Sequence, residues 1–393
     1  MMKLSNRVLE MEESVTLAAS ARAAELKAQG RDILSLTLGE PDFTTPENIQ
    51  KAAIAAIQDG KASFYTAASG LPALKDAISS YMETFYGYAV PRNQVVVATG
   101  AKFILYAAFA TLLNPGDEVI IPTPCWVSYV DQVKMVDGVP VTFQTTEAND
   151  FKATVEQLEA ARTEKTKLIL LNSPSNPTGM IYSREELEAI GAWALEHDIL
   201  ILADDIYGRL VYNGHEFTAI SSLSDALRKQ TIVVNGVSKT YAMTGWRVGF
   251  AVGEPEIIAG MAKIISQTTS NLTAVSQYAA IEALTGDQSS IETMRQAFEE
   301  RLNTIYPLLA EIPGFEVIKP QGAFYLFPNV KKAMEMKGFT DVTEFTNALL
   351  EEAEVALVTG AGFGAPENIR LSYASDMDTL KEAVRRIKAY MEA

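Results

Sequence analysis

The sequence predicts an α/β protein: a mostly parallel central sheet in a large domain, joined to a smaller α+β domain. Three observations carry that reading. Five short, unbroken apolar runs alternate with longer helical patterns through the middle of the chain. Small or polar residues follow each run, and the two ends of the chain lack the alternation. Unbroken apolar runs suit parallel strands covered by helices on both faces, whereas a strand wetted on one face alternates.

In chain order, a helix is expected from about Ser14 to Gln29, stopping at Gly30. Thr45-Pro46 opens another, with proline where its missing N–H costs nothing. The apolar runs are Val95-Val96-Val97-Ala98, Val119-Ile120-Ile121, Leu168-Ile169-Leu170-Leu171, Ile199-Leu200-Ile201-Leu202 and Ile232-Val233-Val234. Between the third and fourth runs, Leu187, Ile190 and Trp193 mark one face of a helix that begins at Ser183. The carboxy-terminal third carries long amphipathic helices and strand-like stretches at residues 322–327 and 370–373. Ser375-Asp376-Met377-Asp378 resembles a capping box ahead of the final helix. The large domain is expected to span residues 47–287, and the smaller one to combine 1–46 with 288–393.

Composition narrows the function. The 393 residues are 48% hydrophobic and 21% charged, as in an ordinary globular protein. A net charge of −16 without a basic run argues against nucleic acid and anionic membranes as partners. Cys125 is the only cysteine, so no intrachain disulfide forms and a reducing compartment fits. His197 and His215 read as surface residues, and no metal site is expected. The start Met1-Met2-Lys3-Leu4-Ser5-Asn6-Arg7 lacks the apolar stretch of a signal peptide, and no run reaches the ~18 apolar residues of a membrane span. The expectation is a cytoplasmic enzyme.

Ligands of a parallel sheet bind beyond the carboxyl ends of its strands. The residues that follow the five runs are Thr99-Gly100-Ala101-Lys102, Pro124-Cys125-Trp126, Asn172 to Gly179 with Asn176, Asp204-Asp205-Ile206-Tyr207, and Asn235 to Lys239. They offer a helix start, an indole, an amide, a carboxylate and an amine, expected to converge. Small neighbours around Lys239 favour desolvation, which lowers a lysine's pKa and frees its amine to attack an aldehyde. Arg247 supplies a permanent cation suited to phosphate. A lone lysine is ordinarily a solvated surface residue, and Asp204 or Asp205 could simply cap a helix. Surface placement does not account for five strand ends at once. Gly360-Ala361-Gly362-Phe363-Gly364 has the wrong spacing for a dinucleotide fingerprint and reads as a loop.

The segment Gly236-Val237-Ser238-Lys239, with Ala242-Met243-Thr244-Gly245-Trp246-Arg247 following, resembles the pyridoxal-phosphate attachment site of class I aminotransferases. The order of motifs from Gly39 to Arg370 agrees, and the Ala242–Arg247 stretch resembles the signature of the bacterial aspartate aminotransferases. The resemblance implies the pyridoxal-phosphate fold type I and a homodimer. It places pyridoxal 5′-phosphate as a Schiff base on Lys239, with Asp204 at the pyridine nitrogen and Tyr207 and Asn176 at the phenolic oxygen. Trp126 would lie on the ring face. Gly100, Ala101, Lys102 and Arg247 would hold the phosphate, with Tyr65 reaching in from the neighbouring subunit. Arg370 and Gly39 would take the substrate carboxylate, and the Lys102 side chain would read a distal carboxylate. The implied reaction moves an amino group from an L-amino acid, aspartate first, to a 2-oxo acid such as 2-oxoglutarate. An aromatic donor, or a lyase or decarboxylase on the same fold, are the alternatives. Two positions depart from the family pattern: Gly236 stands where some relatives place a phosphate-binding serine, and Cys125 where a tyrosine is usual.

Overall fold

Seven strands build the central sheet of the computed structural model, which describes residues 4–9, 11 and 13–393. Residues 1–3, part of the start read above for a signal sequence, lie outside the described residues. The strands are β1 (Val95–Thr99), β2 (Glu118–Thr123), β3 (Val139–Gln144), β4 (Thr166–Asn172), β5 (Leu200–Asp204), β6 (Thr231–Gly236) and β7 (Val248–Val252). Their order across the sheet is β1-β7-β6-β5-β4-β2-β3. The pairs from β6 through β5, β4 and β2 to β3 are parallel, and β7 runs antiparallel to both β6 and β1. All five apolar runs are therefore strands of one sheet. Their side chains are buried because helices cover both faces.

Two strands were not anticipated. In β3, Val-Pro-Val-Thr-Phe-Gln mixes polar and apolar residues because the strand lies at the sheet edge, half exposed, where a proline is tolerated. In β7, Val-Gly-Phe-Ala-Val follows directly on the Lys239–Arg247 segment and carries a glycine.

Helix ends fall close to expectation. Val15–Ala28 is followed by Gln29 and then Gly30 at φ +89°. Arg184–Glu196 begins with a reciprocal capping box between Ser183 and Glu186. Two details differ. Pro46 precedes the helix Glu47–Gln58 as its cap instead of opening its first turn. Asp376, not Ser375, caps Met377–Glu392, because its carboxylate reaches the Thr379 N–H directly at 2.8 Å.

A separate apolar cluster joins the helices Ser289–Ala310, Val342–Glu352 and Met377–Glu392 to a three-stranded sheet of Val358–Thr359, Ile369–Ser372 and Tyr325–Leu326. Leu36 enters it from the amino-terminal part, and Ile206, Tyr207 and Leu210 enter it from beyond β5. On this distribution we propose the division into 47–287 and 1–46 with 288–393. Among the described residues, no helix is long and apolar enough to cross a membrane.

Candidate active site

A cavity of about 330 Å³ opens beyond the carboxyl ends of the strands. Lys102, Trp126, Asn176, Asp204, Tyr207, Lys239, Arg247, Gly39 and Arg370 all line it. Sheet topology accounts for the convergence: β2, β4, β5 and β6 are parallel neighbours, so the loops leaving them emerge on one edge.

Lys239 follows β6 by three residues, behind the buried Val237 and Ser238. Its Nζ donates to the Gly39 carbonyl oxygen and lies 5.9 Å from the centre of the Tyr207 ring. Burial pulls its pKa down to about 8. The Glu40 carboxylate opposes that, Arg370 and Arg247 add to it, and Asp204 opposes it. An appreciable fraction of the amine is thus unprotonated and nucleophilic near neutral pH.

Asp204 ends β5 and is 3% exposed. Its Oδ2 accepts from the Tyr129 hydroxyl at 2.7 Å and its Oδ1 from the Ile206 N–H at 3.3 Å. Burial pushes its pKa up to about 6, tempered by those two donors and by Lys239. Asp205 turns the other way. Its Oδ2 accepts from the Tyr86 hydroxyl at 3.0 Å, and burial holds its carboxyl well above the usual range. Asp205 therefore caps no helix through its side chain, contrary to one reading of the pair; the Ile206 N–H belongs to Asp204.

Arg370 is 1% exposed. Its Nη1 donates to Asn176 Oδ1 at 3.1 Å and its Nη2 to the Thr37 carbonyl at 2.7 Å, while its Nε is buried without a partner among the described residues. The guanidinium lies 4.5 Å from the Tyr325 ring centre. A buried cation hydrogen-bonded only to neutral oxygens suits an incoming carboxylate. Asn176 itself is held by its N–H to Asn172 Oδ1 at 2.8 Å, and Asn172 Nδ2 donates to the Asp204 carbonyl at 2.8 Å. Tyr207 shares a 2.8 Å hydroxyl contact with Tyr325.

Arg247 sits in the left-handed region at φ +56°, with Nη1 donating to the Thr244 carbonyl at 2.9 Å. A Cβ on Gly100 would come within 2.5 Å of Arg247 Nη2, and one on Gly249 within 2.2 Å of the Ala101 nitrogen. The two glycines let the guanidinium and the start of the helix Ala101–Leu112 crowd together. Free backbone N–H groups at a helix start beside a permanent cation make an anion cradle.

The comparisons with known proteins agree with this geometry. The family model described as aminotransferase class I and II matches residues 31–387. The chain belongs to the class I and II aminotransferases. An asparagine–oxo-acid transaminase of Streptococcus mutans is 76% identical over 392 residues, spanning 100% of both chains. An aspartate aminotransferase of a Bacillus species (strain YM-2) is 53% identical over 389 residues, 99% of each. The crystal structure of the aspartate aminotransferase from Rhizobium meliloti superposes with a TM-score of 0.96 at 40% identity, covering 100% of this chain and 99% of that one.

Membership of this family implies dependence on pyridoxal phosphate. The donor set fits it: a desolvated amine for the aldehyde, a buried carboxylate for the ring nitrogen and a cationic cradle for the phosphate. Among the described residues, no group of three or more His, Cys, Asp or Glu side chains is placed to hold a metal.

Other residues of the aminotransferase differ in placement. Lys102 extends across Trp126, with Nζ 4.8 Å from the ring centre, and burial followed by Arg247 lowers its pKa. Tyr65 is 90% exposed and does not line the cavity. Cys125 is not among the residues that line the cavity. It is buried against a void of about 30 Å³ behind Tyr129 and Asn172, and burial pushes its thiol up to about 12. A Cβ at Gly236 would lie 2.7 Å from the Val248 carbonyl, so the close β6–β7 pairing leaves no room for a serine there without a shift. Tyr129, Asn172, Tyr325 and Glu40 were missed. Only Tyr129, three residues beyond Trp126 and one helical turn from it, left a signal to follow.

Proposed function

We propose that this aminotransferase takes aspartate as amino donor and 2-oxoglutarate as acceptor. When bound, pyridoxal phosphate supplies the electron sink that makes the donor's α-hydrogen acidic. The chain's own residues do the rest. Asp204 pairs with the ring nitrogen, Asn176 and Tyr207 with the phenolic oxygen, and Trp126 covers the ring face. Arg247 and the backbone of Gly100, Ala101 and Lys102 take the phosphate. Arg370 and Gly39 orient the substrate α-carboxylate. With the cofactor bound, Lys239 Nζ would take the donor's α-proton as general base and give it up as general acid to the carbon across the donor's nitrogen.

The observation that carries this reading is one cavity holding both the Lys239 amine and the Arg370 guanidinium with its open Nε. The exposed Tyr65 supports a homodimer in which each subunit lends that hydroxyl to the other's phosphate site. A single, buried cysteine supports a cytoplasmic location.

Lys102 supports the acidic donor, because its cation stands in the cavity at the start of a helix, where positive charge is disfavoured unless used. Asparagine is the second reading, favoured by the 76% identity to the Streptococcus mutans protein of that name. Comparing kcat/KM for aspartate, asparagine and phenylalanine, each with 2-oxoglutarate, tests the choice. Aspartate leading supports the first reading, and asparagine leading replaces it with the second. Phenylalanine leading overturns both. Ammonia or carbon dioxide released without an oxo acid would indicate a lyase or decarboxylase.

A further inference from the structure

Arg301, on the helix Ser289–Ala310, donates Nη1 to Asp42 Oδ1 at 2.7 Å and Nη2 to Asp42 Oδ2 at 2.9 Å. Its guanidinium carbon lies 5.4 Å from the ring centres of both Phe43 and Phe298, which themselves meet edge to face at 5.7 Å. The Arg301 side chain is 13% exposed. The Asp42 side chain is more open, at 29%, yet a bidentate pair whose arginine packs on two rings is held more firmly than an ordinary surface pair. Asp42 and Phe43 belong to the segment whose Gly39 carbonyl accepts from Lys239 and whose Glu40 Oε2 accepts from the Thr244 hydroxyl at 2.8 Å. Two residues of extended chain span at most about 7 Å, so anchoring Asp42 restricts where Glu40 can be.

We propose that Arg301 is a positioning residue: through Asp42 and Phe43 it holds Gly39 and Glu40 in place against the amine of Lys239. The proposal rests on the reading of Lys239 as the reactive amine. The charged and titratable groups acting on that amine are Glu40, Asp204, Arg247 and Arg370, with the Tyr207 ring beside it. Glu40 has the largest effect of the charges and favours the protonated amine, whereas Arg370 and Arg247 disfavour it. Loosening the segment withdraws Glu40 and leaves both arginines in place. The amine then holds its proton less tightly.

The test uses the full-length chain stripped of cofactor, with Lys239 acetylated by limiting acetic anhydride across a pH series and quantified by mass spectrometry. Arg301→Gln and Asp42→Asn should each move the Lys239 labelling midpoint down by about half a unit or more, as should Glu40→Gln. Adding Arg301→Gln to Glu40→Gln should move it less than Arg301→Gln does alone, because only the Gly39 carbonyl contact is then left to lose. Asp42→Asn keeps both rings and the arginine, so it reads the same effect if Arg301→Gln fails to fold. An unmoved midpoint with a lowered melting temperature would make the ion pair structural only. Full additivity with Glu40→Gln would also overturn the proposal. Because no substrate is present, this outcome is independent of whether transamination is the reaction.

Discussion

The Tyr129 hydroxyl and the Asp204 carboxylate meet at 2.7 Å on the wall of the cavity, where both side chains are almost fully buried. Asp204 must be ionised to pair with a protonated ring nitrogen, yet burial pushes its pKa up to about 6. Tyr129 is the strongest of the groups that oppose that penalty. Tyr129→Phe should therefore raise the Asp204 pKa in the cofactor-free protein and move the acid limb of kcat/KM to higher pH. A hydrogen bond to a charged group is worth about 1.5–3 kcal/mol, so the displacement should be about one unit or more. A kcat/KM–pH profile with an unmoved acid limb would remove Tyr129 from this role.

The two adjacent aspartates should separate cleanly. Asp204→Asn should abolish most of kcat while retaining cofactor, and Asp205→Asn, whose side chain faces Tyr86, should be much milder. Stability should move the opposite way from activity at Asp204. Its folded pKa lies above its unfolded value, so its stabilising contribution is present below about pH 4 and lost as pH rises through about 6. Replacing it with asparagine should stabilise the cofactor-free protein above pH 6, by roughly 3 kcal/mol at most. Equal kcat losses in the two variants, or a destabilised Asp204→Asn at pH 7.5, would contradict the assignment.

Lys102→Met should lower kcat/KM for aspartate about ten- to a hundredfold, the effect of losing one charge-assisted contact of ~1.5–3 kcal/mol. With an aromatic donor the loss should be small. Steady-state kinetics with both donors decide: equal losses would mean that Lys102 serves the cofactor or the fold.

How much of this was legible in the sequence depends on whether the signal is local. The strands β1, β2, β4, β5 and β6 announce themselves as unbroken apolar runs, and residues just beyond them line one cavity because β2, β4, β5 and β6 are parallel neighbours and β1, on the far side of the antiparallel β7, runs the same way. Local chemistry also set the Ser183 cap. Contacts made across the chain were not readable. Tyr325 reaches Tyr207 from 118 positions away, and Arg370 reaches the Thr37 carbonyl from 333. Adjacency in sequence also does not fix the side on which a side chain lies: Trp126 lines the cavity, whereas Cys125 faces the small void behind Tyr129 and Asn172.

Tyr65 should act across a subunit boundary. Heterodimers combining Tyr65→Ala and Lys239→Ala subunits should regain activity over either parent, because one of their two sites contains both native residues. No recovery in heterodimers verified by mass would show that Tyr65 serves its own subunit or none.

The most direct test of the account is where the cofactor attaches. The purified protein should be yellow, and borohydride reduction followed by peptide mapping should place the phosphopyridoxyl group on Lys239. Lys239→Ala should lose the reducible adduct while the fold persists, since the lysine side chain contributes little to the core. A reduced adduct on another lysine, or one that persists in Lys239→Ala, would contradict it.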